Sequence, residues 1–313
     1  MADRLATELV GAFDALFGVH GGVRAAHAKG ICCAATFTAT PEAARLTRAP
    51  HMQGGPVRAT VRFSHGSGDP DANDTSREPR GMATKFHLDG RKATDLIAVN
   101  QPVFVVRTPE EFLEFVRLRV PDPETGRFDL EALGAFVAAR PESVRAAEIL
   151  LRGMPPASFL QAEYFAIHAF RFVSADGGAR FGRYRWEPEL EPATLTKEER
   201  RERVPGYLQD DLLARLKEGP GRFTLHVQLA NDEDDPTDPT TEWSADREQL
   251  VAGHLEITAP VGNQERDCER LLFDPMRLCD GIEPSDDPIL HVRPHAYTVS
   301  SARRAKAKPR QGG

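Results

Sequence analysis

Strict alternation from Val57 to His65 is the feature that most restricts how this chain folds. Val57, Ala59, Val61 and Phe63 are apolar, while Arg58, Thr60, Arg62 and Ser64 between them are polar. A period of two puts these sets on opposite faces of an extended strand, whereas a helix would scatter both around its axis. Arg62 and Ser64 then share the polar face, a fitting lining for the corner of a pocket.

Further strand signals are spaced as hairpins would space them: Gly30–Thr40, a short connection and strand within Arg77–Leu88, Asp95–Val106, Glu163–Val173, Ala179–Trp186 across Asp176-Gly177-Gly178, Arg222–Ala230 and Gly253–Thr258. Helical spacing covers Ala2–Phe17, stopped by Gly18, then Pro109–Leu118, Leu130–Ala139, Pro141–Arg152 and Lys197–Lys217. No βαβ alternation, glycine-rich dinucleotide fingerprint or phosphate loop is present. The expected class is therefore α+β, an antiparallel barrel or strongly coiled sheet with inserted and terminal helices.

Composition narrows the partners. A net charge of −7 over 313 residues argues against general binding to a nucleic-acid backbone. No apolar run approaches the length of a membrane span. The start of the chain lacks the pattern of a secretory signal, which makes the cytoplasm the expected location. Cys32 and Cys33 would point to opposite faces of a strand, and Cys268 and Cys279 lack a zinc spacing; all four are expected to be reduced, structural thiols. The acidic stretch Asp232–Asp238 lacks the spacing of a calcium loop and reads as a solvated connection.

Chemistry concentrates near the end, in Ser285-Asp-Asp-Pro-Ile-Leu-His-Val-Arg-Pro-His-Ala-Tyr297. On a helix, Arg293 and Tyr297 lie one turn apart on the same side. A guanidinium there favours an ionised phenol, and a phenolate is one of the few side chains that serve as an axial ligand to haem iron.

Several segments, in order, resemble the haem catalase superfamily, in particular its short catalase-related peroxidases. They are Arg24-Ala-Ala-His-Ala-Lys-Gly30; Val61-Arg-Phe-Ser64 with Arg77-Glu-Pro-Arg-Gly81 and Lys85-Phe86; Asp95-Leu-Ile with Asn100-Gln-Pro-Val-Phe104 and Phe112; and Phe273-Asp-Pro, Gly281-Ile-Glu-Pro-Ser285 and Arg293-Pro-His-Ala-Tyr297. The resemblance implies an eight-stranded antiparallel β-barrel of catalase type, one haem domain over residues 1–313, and b-type haem as cofactor. It implies His27 as distal acid/base supported by Ser64, and Tyr297 as iron ligand beside Arg293. Arg24, Arg62 and Arg304 match arginines at the haem edge, while Phe104 and Phe112 match phenylalanines flanking the porphyrin.

Three departures shape the functional expectation. Of the family's two consecutive asparagines, the first and distal place is Val99 here and Asn100 matches the second, so an amide can reach peroxide only if the backbone brings Asn100 inward. Ala26 replaces a bulky valine. The family's C-terminal helical domain has no counterpart after the proximal helix. A roomier cavity without the amide hinders a second small peroxide more than a bulky donor. The expected activity is a peroxidase that reduces hydrogen peroxide or organic hydroperoxides with small organic reductants and shows weak catalase activity. The alternatives are a fatty-acid hydroperoxide rearranging enzyme resembling allene oxide synthases, whose hydroxyl residue before the histidine is Ala26 here, and a haem-binding protein without turnover. Family members associate, so a homo-oligomer is also implied.

Overall fold

The computed structural model describes residues 2–306. Its strands are β1 (Gly30–Ala39), β2 (Pro56–His65), β3 (Arg80–His87), β4 (Ala93–Val99), β5 (Tyr164–Phe165), β6 (Phe170–Val173), β7 (Ala179–Pro188), β8 (Gly221–Leu229), β9 (Gln249–Pro260) and β10 (Ile282–Pro284). Every pairing between them is antiparallel. The ring runs β1-β2-β3-β4, continues through Val99 opposite Phe165 to β5, and closes by β7-β8-β9-β1. β5 and β6 lie along successive stretches of one edge of β7, so the closed barrel has eight positions. Closure leaves no long unpaired edge to template aggregation.

The interior is aromatic. Phe37, Phe63, Phe86, Phe172, Trp186 and Phe223 are fully buried within one cluster, with Phe37 and Trp186 edge to face at 6.1 Å. Burying each contributes roughly 1.5–3 kcal/mol, which makes this end of the barrel a rigid plug.

Eight helices accompany the barrel among the described residues: α1 (Ala2–Phe17), α2 (Pro41–Leu46), α3 (Pro109–Leu118), α4 (Leu130–Ala138), α5 (Pro141–Arg152), α6 (Lys197–Glu202), α7 (Tyr207–Glu218) and α8 (Pro288–Lys306). Thr108 starts α3 with a capping box, accepting from Glu111 N–H while the Glu111 carboxylate accepts from Thr108 N–H. Leu9 and Ala12 of α1 pack on Leu113 and Val116 of α3, with Phe13 and Phe112 beside them. α1 also lies against α8, so these helices form a lid over one side of the barrel.

Several boundaries differ from the sequence reading. β4 stops at Val99, before Pro102, and the expected fifth strand is interrupted between β5 and β6. The charged helical stretch breaks into α6 and α7 around Pro205-Gly206. On β2 most of the polar face is also buried: Thr60, Arg62 and Ser64 are covered, and only Arg58 is exposed. The acidic loop is tied down rather than merely solvated: Asp234 pairs with Arg247 at 2.8 Å, and Arg183 donates to the Asp238 carbonyl at 2.6 Å.

The cysteines need the largest correction. Cys33 does point into the barrel core and Cys32 outward, but Cys32 is bonded to Cys268 in a disulfide. The two are 236 positions apart, and the chain leaving β9 returns beside β1, bringing their Cα atoms to 5.4 Å. Cys33 and Cys279 are free, with burial pushing the Cys33 thiol up to about 12.

Candidate active site

His27 lies just before β1 with φ at +55°, in the left-handed region that non-glycine residues seldom occupy. Such a conformation costs of order 1–3 kcal/mol and persists only where neighbours hold it. The Arg62 guanidinium donates to the His27 carbonyl at 2.9 Å, His27 N–H donates to the Gly66 carbonyl, and Ala28 N–H donates to the Ser67 carbonyl at 3.0 Å. Nδ1 of His27 is 3.0 Å from Ser64 Oγ on β2, leaving Nε2 for the cavity. β3 contributes by omission: a Cβ on Gly81 would come within 2.7 Å of Ser64 Oγ and 3.0 Å of His27 Nδ1, so only glycine leaves the ring its place.

Burial, with further contributions from Arg62, Arg293, Arg24 and Arg80, pushes the His27 pKa down to about 3. The ring is half-buried and lines the internal cavity. The imidazole is therefore neutral near pH 7 and able to accept a proton.

A second wall is α8. Asp287 caps its first turn, Oδ1 accepting from Ile289 N–H at 2.8 Å, and Pro288 follows as a residue that has no amide to satisfy. Its other oxygen, Oδ2, is 2.5 Å from His168 Nδ1, and both side chains are buried. Further along, Arg293 Nη2 donates to Tyr297 Oη at 2.6 Å, the one-turn pairing that the spacing implies.

Between the walls is a mostly apolar slot lined by Ala26, Val99, Phe104, Phe112, Phe273 and Val292, with His27, Ser64 and Tyr297 facing it. Phe104 and Phe112 pack on each other at 4.8 Å. Arg24, Arg62 and Arg304 gather at one edge of the slot. The carboxylate of Glu269 meets Arg24 and lies 3.5 Å from Arg62. Burial pushes Arg62 down to about 9, with the charge of Arg24 adding to it, and the same two causes bring Arg304 to about 10. Arg62 Nε is buried without a partner.

Every site residue expected from the sequence lines this slot except Asn100. Asn100 Oδ1 accepts from Arg80 N–H at 2.6 Å and Asn100 N–H donates to the Arg80 carbonyl at 2.9 Å, a latch that continues β4 beside β3. Val99 faces the slot in its stead, so the backbone does not bring the amide inward. Sequence reasoning missed Glu269, Asp287 and His168. Asp287 had a signal, standing before Pro288 at the helix start; His168 had none, because only the fold carries it to Asp287.

The arrangement fits haem on three observations. Three arginines with one protein carboxylate among them leave positive charge, and an orphaned guanidinium nitrogen, to meet acidic groups of a ligand. The slot is apolar and aromatic, as a flat macrocycle requires. A tyrosine on α8 and a neutral imidazole before β1 both line it. Fold and site thus define an antiparallel-barrel protein whose cavity suits a flat, acid-bearing, iron-holding group.

The comparisons with known proteins agree with that class. A family model described as Catalase matches residues 22–311. The chain is 39% identical over 293 residues to a catalase-related peroxidase of Mycolicibacterium paratuberculosis, covering 92% of each, and 34% identical to one of Synechococcus elongatus, covering 96% of this chain and 88% of that protein. It is 28% identical to a catalase of Drosophila melanogaster, of which it spans 58%. A fungal catalase crystal structure superposes with a TM-score of 0.83 at 24% identity, over 91% of this chain and 60% of that one. The chain belongs to the catalase family, on the branch of its short catalase-related members.

Proposed function

We propose that the chain is a haem-dependent peroxidase that reduces hydrogen peroxide or organic hydroperoxides with organic electron donors and releases little dioxygen. Family membership makes it an oxidoreductase acting on peroxide. The finer reading assigns Tyr297 as the iron ligand of a b-type haem, Arg24, Arg62 and Arg304 as partners of its acidic groups, and His27 as acid and base. The observation that carries it is one cavity lined by His27, by Tyr297 and by Val99, an apolar residue.

The chemistry a bound haem supplies is reversible oxidation of its iron, driven one way by peroxide and the other by donor. What the chain's residues do follows from geometry. With Nδ1 paired to Ser64 Oγ, His27 Nε2 is left to take the peroxide proton and return it to the departing oxygen as the O–O bond breaks. The products are water and, from an organic hydroperoxide, an alcohol; two electrons and two protons from donors complete the balance. Arg293, by donating to Tyr297 Oη, keeps that oxygen suited to iron. Val99 offers no hydrogen bond to hold a second peroxide, which favours donors over dioxygen release.

On this reading residues 1–313 act as one haem domain and copies associate as in the family. Among the described residues no helix is long and apolar enough to cross a membrane. The Cys32–Cys268 disulfide weighs against a cytoplasmic location, because such bonds persist chiefly in oxidising compartments.

The test is an absorption spectrum of purified protein, followed by hydrogen peroxide with and without an oxidisable dye while dissolved oxygen is recorded. Haem absorption with dye oxidation and little oxygen supports the proposal; vigorous oxygen release replaces it with a small catalase. No haem band after haem supplementation would falsify both.

A further inference from the structure

A second cavity, of about 660 Å³, opens on the outside of the barrel behind the slot. Its walls carry Arg58, Lys85, Arg91, Lys92, Arg270 and Arg277, and no carboxylate. Such a concentration of one sign is notable in a chain of net charge −7. Lys85 and Arg277 share the buried Asp95, at 2.5 and 2.8 Å. Arg58, Arg91 and Lys92 form no ion pair among the described residues, and Arg270 has only Glu265, at 3.9 Å. His87, also in the wall, has its pKa pushed down by burial and by the charges of Arg58 and Lys85. The floor is apolar, with Leu88, Leu271 and Leu272.

The wall between the two cavities is thin. Leu272 lines both. Its neighbour Phe273 lines the slot, while the Lys85 ammonium, on the basic side, sits 5.2 Å from the centre of the Phe273 ring. Leu271, on the basic side, packs in the same cluster as Phe273, Ala83 and Ile97 of the slot, so one layer of side chains separates the two spaces here.

We infer that this basic cavity is the docking site of the electron donor, and that the donor is a phenol carrying a carboxylate. The inference rests on the peroxidase reading above. The apolar floor suits an aromatic ring, the unpaired cations suit the carboxylate, and the short wall suits electron transfer without entry into the slot. Each donor gives up one electron and one proton and leaves as a phenoxyl radical; two such donors reduce one hydroperoxide to an alcohol and water. The positive rim also repels cationic donors, which makes the site selective.

The test uses a matched pair, ferulate and its neutral methyl ester, with the haem-loaded full chain and the exposed-surface variant Arg91→Glu/Lys92→Glu. The expected result is a loss of about tenfold in kcat/KM for ferulate, with the ester and the rate of the first peroxide-driven spectral change unaltered. Equilibrium dialysis of ferulate against wild type and variant, in low and high salt, gives a readout without turnover: binding that the variant and salt both weaken is expected. If ferulate and ester respond alike, or wild type binds no ferulate, the docking site is overturned while the peroxidase reading stands. If wild type oxidises neither donor, the peroxidase reading falls and this inference with it.

Discussion

On the wall that carries His27, position is set by main chain: a carbonyl held by Arg62, an amide held by Gly66, and a glycine at 81 that keeps space beside the ring. On the wall that carries Tyr297, position is set by side chains along one helix, from the Asp287 cap and its His168 partner to the Arg293–Tyr297 bond. The first wall grows out of a closed barrel and can yield only by distorting strands. The second rests on one helix and depends on a few side-chain hydrogen bonds. His27, the proposed acid and base, is thus held through main-chain contacts, while Tyr297, the proposed iron ligand, is held by side-chain contacts along one helix.

The sharpest way to break this contrast is His27→Ala. Haem content should be retained, since the arginine edge and Tyr297 are untouched, while the rate of peroxide cleavage falls by roughly two to four orders of magnitude. Unchanged cleavage in a stopped-flow trace would remove His27 from the mechanism. Its depressed pKa also fixes a pH profile: kcat/KM for peroxide should stay level from about pH 5 to 8 and drop only as pH nears 3.

The barrel side also predicts a stability effect. Burial lowers His51 and His65 to about 3 from 6.5, and both rings are nearly inaccessible. The folded state therefore binds fewer protons than the unfolded one between those values. Stability is full above pH 6.5 and falls by up to about 1.4 kcal/mol per pH unit for each ring as pH drops toward 3. Denaturant midpoints at pH 7 and pH 5 measure it; equal midpoints would mean that these rings protonate without unfolding.

On the helix side, Asp287→Asn keeps the helix cap but replaces the carboxylate facing His168. It should cost about 1–3 kcal/mol and speed haem loss to an acceptor protein, with peroxide cleavage by the loaded fraction unaltered. A matching loss of cleavage would show that the two walls are not independent. The smallest expected change comes from Val99→Asn, which should raise oxygen release relative to dye oxidation. If the ratio does not move, the proposed link between the missing amide and a preference for donors is wrong.

Much of this was legible in the sequence because it is local. Alternation in β2 fixed which residues face the barrel interior, and the four-residue spacing of Arg293 and Tyr297 fixed their bond once the segment was a helix. Prolines and glycines marked most element ends. Asn100 was misjudged as a cavity residue because a shift of one position along β4 separates a side chain that enters the slot from one that latches β3.

The amino-acid order by itself determined the strands, the helix of Tyr297, the placement of His27 before β1 and the family resemblance, since periodicity and short motifs act through neighbours in the chain. Only the tertiary structure decided the Cys32–Cys268 disulfide, the Asp287–His168 pair, the Glu269 contact with the arginine edge and the basic cavity behind Leu272. Each of these joins residues that barrel closure brings together from distant parts of the chain, and no local pattern encodes which distant partner a closed sheet will deliver.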